Sequence, residues 1–473
     1  MFGILSYGAY VPMFRLSRDL IAKAWGRGGG AGEKAVANYD EDSLTMGVEA
    51  AVDCLQGIDH KSIDALYFVS LTHPYQEKQA ASIIAEVLDL RPDTFTLDVG
   101  NSPRGATSAF RLAADAVASG SAKKILLIVS DCRGSAPKSD NEMLFGDGAA
   151  AFLLGDDKPA VTIDNTYTAF SSFLDSWKLP HEPFHRTWSE ERFVFGEGFS
   201  KIAPACGTAA LKQFNATIKD FTKVVLGAPD QRRHNELVRA LGVDAKTQLQ
   251  EPLFNDIGHT GSAFVPMMLV AALQDAKAGD KILTFNYGDG CDVHALTVTP
   301  EIEKLRDRRG IKTYLASKLP VTYYQQYLIF RDIVIEVPGT RPTRTSSLPV
   351  LWRERRSLVS LVGQKCRVCG TIQFPLQRLC IECQTQGEFD EYPLWDKKGK
   401  IFSFSMDERT REPVAPSVAC IMDMEGGGRY YGNITDRDPA TIDVGQDVEF
   451  TFRNIHNGAG LHNYFWKLRT VRG

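Results

Sequence analysis

The sequence predicts an α/β protein with a duplicated five-layer architecture, followed by a compact metal-binding module and a small β-barrel. Three observations lead there. Buried-strand runs alternate with helical patterns over the first two thirds of the chain, and the order of elements after Ala203 partly repeats the order before it. Two CxxC pairs separated by ten residues begin at Cys366. Beyond Lys400 the chain is strand-rich, with glycine turns at 426–428 and 458–460. The divisions fall at 1–335 for the α/β unit, 336–359 for a linker and helix, 360–395 for the metal module and 396–473 for the barrel.

The bulk properties fit this plan. A chain of 473 residues exceeds one ordinary core, and 44% apolar with 24% charged residues excludes disorder as the main state. A net charge of -4 gives no reason to expect nucleic acid as a partner. The N-terminus has no basic region ahead of its apolar residues, and no apolar run reaches bilayer length, so a cytoplasmic protein with no membrane partner is expected. Nine cysteines, four of them in CxxC pairs, suit a reducing compartment and a metal better than a disulfide framework.

Phe2 to Val11 reads as the first strand and Leu20 to Trp25 as a short helix. Asp40, Glu41, Asp42 and Ser43 open a helix carrying Met46, Val48, Ala51, Val52 and Leu55 at helical spacing, since acidic groups suit the positive end of a helix. Ile63 to Ser70 is a buried strand and Gln79 to Leu88 a helix. Lys124 to Asp131 is a nearly unbroken apolar run, the pattern of a central strand covered on both faces. Gly146 to Gly148 leads into another strand, and Ala160 to Asn165 continues the sheet. Ser171 to Lys201 mixes aromatic and polar residues without a period, which fits a substrate lid, a dimer loop or an irregular insertion. In the second half, helices are expected over Ala205 to Phe214 and Asn235 to Leu241, a turn and helix over Gly258 to Ala276, and strands over Lys223 to Gly227, Lys281 to Tyr287 and His294 to Thr299. Glu301 to Arg331 reads as charged and mostly helical, Pro338 to Pro349 as the linker, and Trp352 to Leu358 as a helix.

Two stretches carry chemistry. Asp98 to Phe110 is a strand end, a tight turn and the opening of an alanine-rich helix. Such turns seat nucleophiles in α/β enzymes, because a helix N-terminus lowers a thiol's pKa and offers free N–H groups. The turn here is Ser102-Pro103-Arg104, and it holds no thiol. The second stretch is Cys366, Cys369, Cys380 and Cys383, four thiolates at the reach of a tetrahedral zinc, with Gly370 suited to the knuckle turn. Full cysteine ligation closes the shell, so one structural zinc per chain is expected.

Gly3 to Pro12, Glu33 to Val36, Asp40 to Asp42, Pro74-Tyr75 with Lys78, Phe145 to Ala150, Ile257 to Ser262 and Thr299 to Glu303 together carry a family likeness. Through them, residues 1 to about 333 resemble the hydroxymethylglutaryl-CoA synthases, especially the archaeal and bacterial form, within the thiolase-like condensing enzymes. Residues from about 350 to 473 resemble the zinc-ribbon plus OB-fold proteins that accompany such enzymes as separate subunits, here fused. The resemblance implies a thiolase-like fold, a rubredoxin-like zinc ribbon, an OB barrel, a CoA thioester as substrate and a homodimer.

It also locates a departure. The family works through a cysteine nucleophile, a glutamate acid/base and a histidine, and these fall on Pro103, Leu71 and Gly227. Proline removes the thiol and also the backbone N–H that would help to form an oxyanion hole, while fitting the first turn of a helix.

The remaining candidates surround that turn. His259 stands where the family has an asparagine facing the thioester, as a base, an enolate donor or a satisfied structural histidine. His73 and Tyr75 follow the lost glutamate as replacement acids or loop-packing residues, and Tyr75 matches a tyrosine of the family. Asp289 and Gly290 lie in a glycine turn able to offer N–H groups to an oxyanion. Arg104 is the nearest cation, placed with Ser102 to meet a substrate carboxylate or a CoA phosphate. Asp230 and Asp256 read as helix caps or as carboxylates that orient a histidine, Cys291 as a reactive thiol or a core residue, and Cys54, Cys132, Cys206 and Cys420 as small core residues.

These readings lead to an enzyme that acts on acyl-CoA thioesters without a cysteine nucleophile. The expected reaction is aldol or retro-aldol cleavage of a β-hydroxyacyl-CoA by a carbon–carbon lyase, which needs only a base and donors to the thioester enolate. The alternatives are a non-catalytic acyl-CoA-binding or scaffold subunit, and a hydroxymethylglutaryl-CoA synthase-like acyltransferase with relocated residues. The barrel is expected to cap a substrate channel or bind an acyl group.

Overall fold

The long apolar runs form the middle of one sheet: β1 (Gly3–Tyr10), β2 (Ala65–Val69), β3 (Phe95–Val99), β4 (Lys124–Cys132), β5 (Asp147–Gly155), β6 (Val161–Phe170), β7 (Lys223–Leu226), β8 (Lys281–Tyr287) and β9 (Gly290–Val298). The structure, a computed structural model, describes residues 1–188, 190–334, 346–410, 412–458 and 460–472. Up to residue 345, the linker expected at Pro338 to Pro349 lies outside them.

The strand order is β7-β8-β9-β6-β1-β5-β4-β2-β3. Its first half, β3-β2-β4-β5-β1, is repeated as β7-β8-β9-β6, so the duplication is present with the counterpart of β3 reduced. In that place Leu249 makes a single parallel bridge to Val224. The halves join where Gly3 and Ile4 pair with Thr162 and Val161.

Four helices position the site. In α1 (Ser43–Cys54) the Asp42 carboxylate accepts from the Thr45 N–H while the Thr45 hydroxyl accepts from the Asp42 N–H, a reciprocal cap. The others are α2 (Gly105–Ala118), α3 (Gln231–Leu241) and α4 (Phe264–Asp275). Phe264 to Leu273 of α4 is buried on every side, and α2 and α4 each touch strands of both halves, which makes them the central layer. Asp230 caps α3 by accepting from the Arg233 N–H.

Two expectations are corrected. The helix expected from Ala205 begins at Phe199 and accommodates Pro204, so proline misplaced the predicted start. The stretch Glu301 to Arg331 is three short helical segments, Pro300–Leu305, Gly310–Ala316 and Tyr324–Phe330, separated near Gly310 and Pro320. Within 171–201, Ser176–Trp177 and Arg186–Thr187 pair as a minimal hairpin.

The C-terminal part holds a three-stranded sheet, β10 (Val362–Cys366), β11 (Ile372–Gln373) and β12 (Phe389–Pro393). A closed barrel follows, made of β13 (Lys398–Asp407), β14 (Ser417–Met424), β15 (Arg429–Ile434), β16 (Asp447–Gly458) and β17 (Leu461–Thr470). The barrel docks beside α1 through a buried ionic seam. Arg453 meets Asp40 at 3.3 Å, Glu41 at 2.8 Å and Asp436 at 2.5 Å. Lys467 meets Asp40 at 2.9 Å, and Arg469 meets Glu49 at 2.6 Å. Desolvating so many charges is tolerable only because each is paired. No helix among the described residues is long and apolar enough to cross a membrane.

Candidate active site

The loops after β2, β3, β4, β7 and β8 converge on Ser102-Pro103-Arg104. Ser70 N–H donates to Val99 O at 3.0 Å, and Asn286 Nδ2 donates to Pro103 O at 3.3 Å. Gly288 carries no side chain because none fits: a Cβ there would stand 2.9 Å from Pro103 Cδ and 3.1 Å from Arg104 N. Gly227 is equally confined, since a Cβ would stand 2.6 Å from Val265 Cγ2 and 3.0 Å from Asn286 Oδ1. A histidine at this position would therefore need its neighbours to move.

Asp131, at the end of β4, ties two of these loops together. One carboxylate oxygen accepts from the Leu71 N–H at 2.6 Å and the Ser70 hydroxyl at 3.0 Å, the other from the Ser262 N–H at 2.7 Å and hydroxyl at 2.8 Å. Leu71 presents its apolar side chain here, partly exposed.

His259 lies half-buried beside this knot, stacked on Phe264 with ring centres 4.6 Å apart. Its Nδ1 accepts from the Gly261 N–H at 3.1 Å and faces Arg133 Nη1 at 3.3 Å. Burial first, then the Arg133 charge, pushes the imidazole down to about 3. The ring is thus neutral near pH 7 and, with Nδ1 accepting, carries its proton on Nε2. This geometry suits a donor to an oxyanion, not a general base.

The other expected residues are placed differently. His73 packs under β3, with Nε2 3.3 Å from Val99 O and Nδ1 4.0 Å from Asp98. Tyr75 is clasped by the barrel: its hydroxyl accepts from the His462 N–H at 2.9 Å, and the His462 ring stands edge-on to it. Arg104 turns away from the turn's open side to Asp292 at 3.1 Å, a carboxylate that also accepts from Thr107 and Ser108. Ser102 Oγ reaches only Gly288 O, at 3.4 Å. Asp289 is exposed at the hairpin tip with φ 47°. Gly290 lets β9 approach β6, since a Cβ would stand 2.0 Å from Ala169 O.

Arg133 escaped sequence reasoning, and His185 was legible only as one aromatic of the 171–201 segment. Arg133 follows the apolar run of β4 directly, a strand C-terminus of the kind that builds sites in α/β sheets, and this was the available signal. Its guanidinium stacks 3.6 Å above the Phe145 ring, and burial lowers its pKa to about 10. His185 enters from the 171–190 segment, edge-on to Phe145 at 5.8 Å, with burial holding its pKa down to about 4.

In the C-terminal part, the sulfurs of Cys366, Cys369, Cys380 and Cys383 lie within 4.8 Å of one another, at 3.6 Å between Cys366 and Cys383 and 3.4 Å between Cys369 and Cys380. Tetrahedral zinc with sulfur ligands at about 2.3 Å needs sulfurs roughly 3.8 Å apart. The cluster fits.

Residues 97–169 match the family described as 3-Oxoacyl-[acyl-carrier-protein (ACP)] synthase III. A hydroxymethylglutaryl-CoA synthase of Methanosphaera stadtmanae is 30% identical over 342 residues, covering 70% of this chain and 98% of that protein. One of Pyrococcus horikoshii is 32% identical over 330 residues, covering 68% of this chain and 93% of that protein. A solved structure described as HMG-CoA synthase complexed with CoA superposes with a TM-score of 0.62 at 17% identity, covering 73% of this chain and 92% of that one. These findings overturn the expected carbon–carbon lyase. The relatives are matched along nearly their whole length and are named synthases, whereas the lyase reading rested on domain architecture and missing residues. The chain belongs to the hydroxymethylglutaryl-CoA synthase family.

Proposed function

We propose that the protein is a hydroxymethylglutaryl-CoA synthase-like acyltransferase that condenses acyl groups carried on CoA, with its working residues moved away from positions 71, 103 and 227. Family membership across nearly the full length of the relatives carries this reading. Without an acyl-enzyme, condensation needs a base to take the α-proton, a donor to the thioester enolate, an acid for the new alkoxide, and a water that hydrolyses one thioester to release its CoA. His259, proton on Nε2, is the stabiliser in this reading, and Tyr75, whose hydroxyl oxygen accepts from the His462 N–H, is the acid. His73 and the Asp289-Gly290 turn are supporting positions, while Arg104 and Ser102 shape the pocket wall.

A second reading, an acyl-CoA-binding subunit without chemistry, is favoured by one observation. In this reading Pro103 and Gly227 replace the nucleophile and the histidine together, and a side chain at 227 would displace Val265 and Asn286. One experiment separates the two: incubation with acetyl-CoA and acetoacetyl-CoA, followed by free CoA release and product mass. Release of CoA with a condensed product supports the acyltransferase, saturable binding without release supports the binding subunit, and no binding of either thioester rules out both.

The same proposal assigns one structural zinc to Cys366, Cys369, Cys380 and Cys383 and reads the barrel as an OB fold. The zinc would fix the ribbon and take no part in the reaction. Residues 1–335, 336–359, 360–395 and 396–473 are the proposed units. A homodimer is supported by β3, an edge strand of the sheet with Phe95 58% exposed, and a cytoplasmic setting by nine unpaired thiols.

A further inference from the structure

The loop that carries Tyr75 is tied to the sheet at one end and to the barrel at the other. At the near end the Thr72 hydroxyl donates to Asp131 at 3.2 Å, and the Thr72 carbonyl accepts from the Ser43 hydroxyl at 2.6 Å. At the far end the chain reaches the surface, where Gln76, Glu77 and Lys78 are exposed. Among the described residues, the Tyr75 hydroxyl and the Pro74 carbonyl have one hydrogen-bond partner each, and both partners belong to His462.

His462 lies near the end of the β16–β17 arm, opposite Asn457. Its N–H donates to the Tyr75 hydroxyl oxygen at 2.9 Å, and its ring stands edge-on to the phenol with centres 4.8 Å apart. Nε2 lies 3.1 Å from Pro74 O; a carbonyl only accepts, so this nitrogen carries the proton and donates. Nδ1 is braced by Asn457 Oδ1 at 2.7 Å and Asn454 Nδ2 at 3.1 Å. The arm is itself held on the α/β unit. The Asn454 N–H donates to Asp40 O at 3.0 Å, and the Tyr464 hydroxyl donates to the Asp42 carboxylate at 2.7 Å.

Docking of the barrel does not call for this grip, because Arg453, Lys467 and Arg469 already seat it on the segment ahead of α1 and on α1 itself. What the grip adds is an orientation for Tyr75. A side chain on a partly exposed loop samples several rotamers unless something fixes it, and a reacting group misplaced by about 1 Å can cost about a hundredfold in rate.

We propose that His462 is a positioning residue for Tyr75, so that the C-terminal barrel holds the acid of the condensation in place from outside the α/β unit. This rests on the acyltransferase reading above and gives the barrel a part in that same site.

The test follows CoA release and condensed product from acetyl-CoA and acetoacetyl-CoA in the full-length native protein, Tyr75→Phe, His462→Phe, His462→Gln and the double variant Tyr75→Phe/His462→Phe. Tyr75→Phe is expected to lose at least about a hundredfold in kcat, as for removal of an acid. His462→Phe keeps an edge-on ring without its nitrogens, and is expected to lose about tenfold in kcat with KM within about twofold. His462→Gln, which can still donate to Pro74 O, is expected to recover part of that loss. The double variant is expected within about twofold of Tyr75→Phe, because His462 then has nothing left to position. A folded His462→Phe with native kcat overturns the inference and leaves the acyltransferase reading standing. So does a double variant about tenfold slower than Tyr75→Phe, since His462 would then act independently. If His462→Phe does not fold, Asn457→Ala decides: this exposed change unbraces the ring, a loss of about threefold in kcat supports the inference and native kcat overturns it. Full activity of Tyr75→Phe overturns the acid and the inference together. Native protein that releases no CoA overturns the acyltransferase reading itself, and the inference with it.

Discussion

Gly288 lies directly against Pro103, with 2.9 Å between a Cβ built on the glycine and Pro103 Cδ. The hairpin after β8 therefore packs directly on the 102–104 turn. Gly288→Ala must push either the ring or the Arg104 backbone aside, and is expected to lower unfolding free energy by about 1–3 kcal/mol, measured by denaturant titration.

Pro103→Cys restores a thiol without its helpers. With Leu71 in place of a carboxylate and Gly227 in place of an imidazole, nothing deprotonates it. The variant is expected to react with iodoacetamide at the rate of an ordinary helix-terminal thiol and to form no acyl-enzyme with acetyl-CoA, as read by peptide mass mapping.

Arg453 joins the barrel to the segment ahead of α1. Arg453→Met leaves Asp40, Glu41 and Asp436 as clustered carboxylates with one fewer cation, and is expected to cost about 3–5 kcal/mol. Loss of the barrel and the α/β unit in one cooperative transition, followed by near-UV circular dichroism and tryptophan fluorescence, checks that the seam couples them.

His234 in α3 has no exposed surface, and neither ring nitrogen has a hydrogen-bond partner among the described residues. Burial holds its pKa down to about 4. Because the folded value lies below the unfolded value of about 6.5, the unfolded chain takes the proton first as pH falls. This residue's contribution is complete above about pH 6.5 and is lost towards pH 4, at about 1.4 kcal/mol per unit. His234→Leu is expected to flatten the stability profile between pH 6.5 and 4.5 (about two units), measured by thermal unfolding across that range.

Cys380→Ser, or prolonged chelation, is expected to release one zinc per chain and to unfold β10, β11 and β12 selectively, because a ribbon this small has little core of its own. Metal analysis together with amide exchange over 362–393 checks it.

Much of the fold was legible because periodicity carries it. Lys124 to Asp131 is a nearly unbroken apolar run and Ala149 to Leu154 an unbroken one, both became the middle of the sheet, and CxxC spacing located the sulfur cluster before any geometry. Short elements interrupted by proline or glycine were not legible, as the helix through Pro204 and the segments around Gly310 show. The site divides the same way. The sequence places Pro103 and Gly227 at the turns they occupy, but the packing of Arg133 on Phe145 and beside His259 is a property of three-dimensional pairing that no local pattern records. Arg104 makes the same point in reverse, since its pairing with Asp292, far away in the chain, turned the nearest cation into a structural one.

The central claim is that this protein handles CoA thioesters without an acyl-enzyme at the 102–104 turn. Intact-protein and peptide mass spectrometry during turnover or saturation with acetyl-CoA tests it most directly. The expected result is a saturated pocket with the peptide containing Ser102, Pro103 and Arg104 unmodified. An acetyl ester on Ser102, formed and discharged with the kinetics of CoA release, would contradict it.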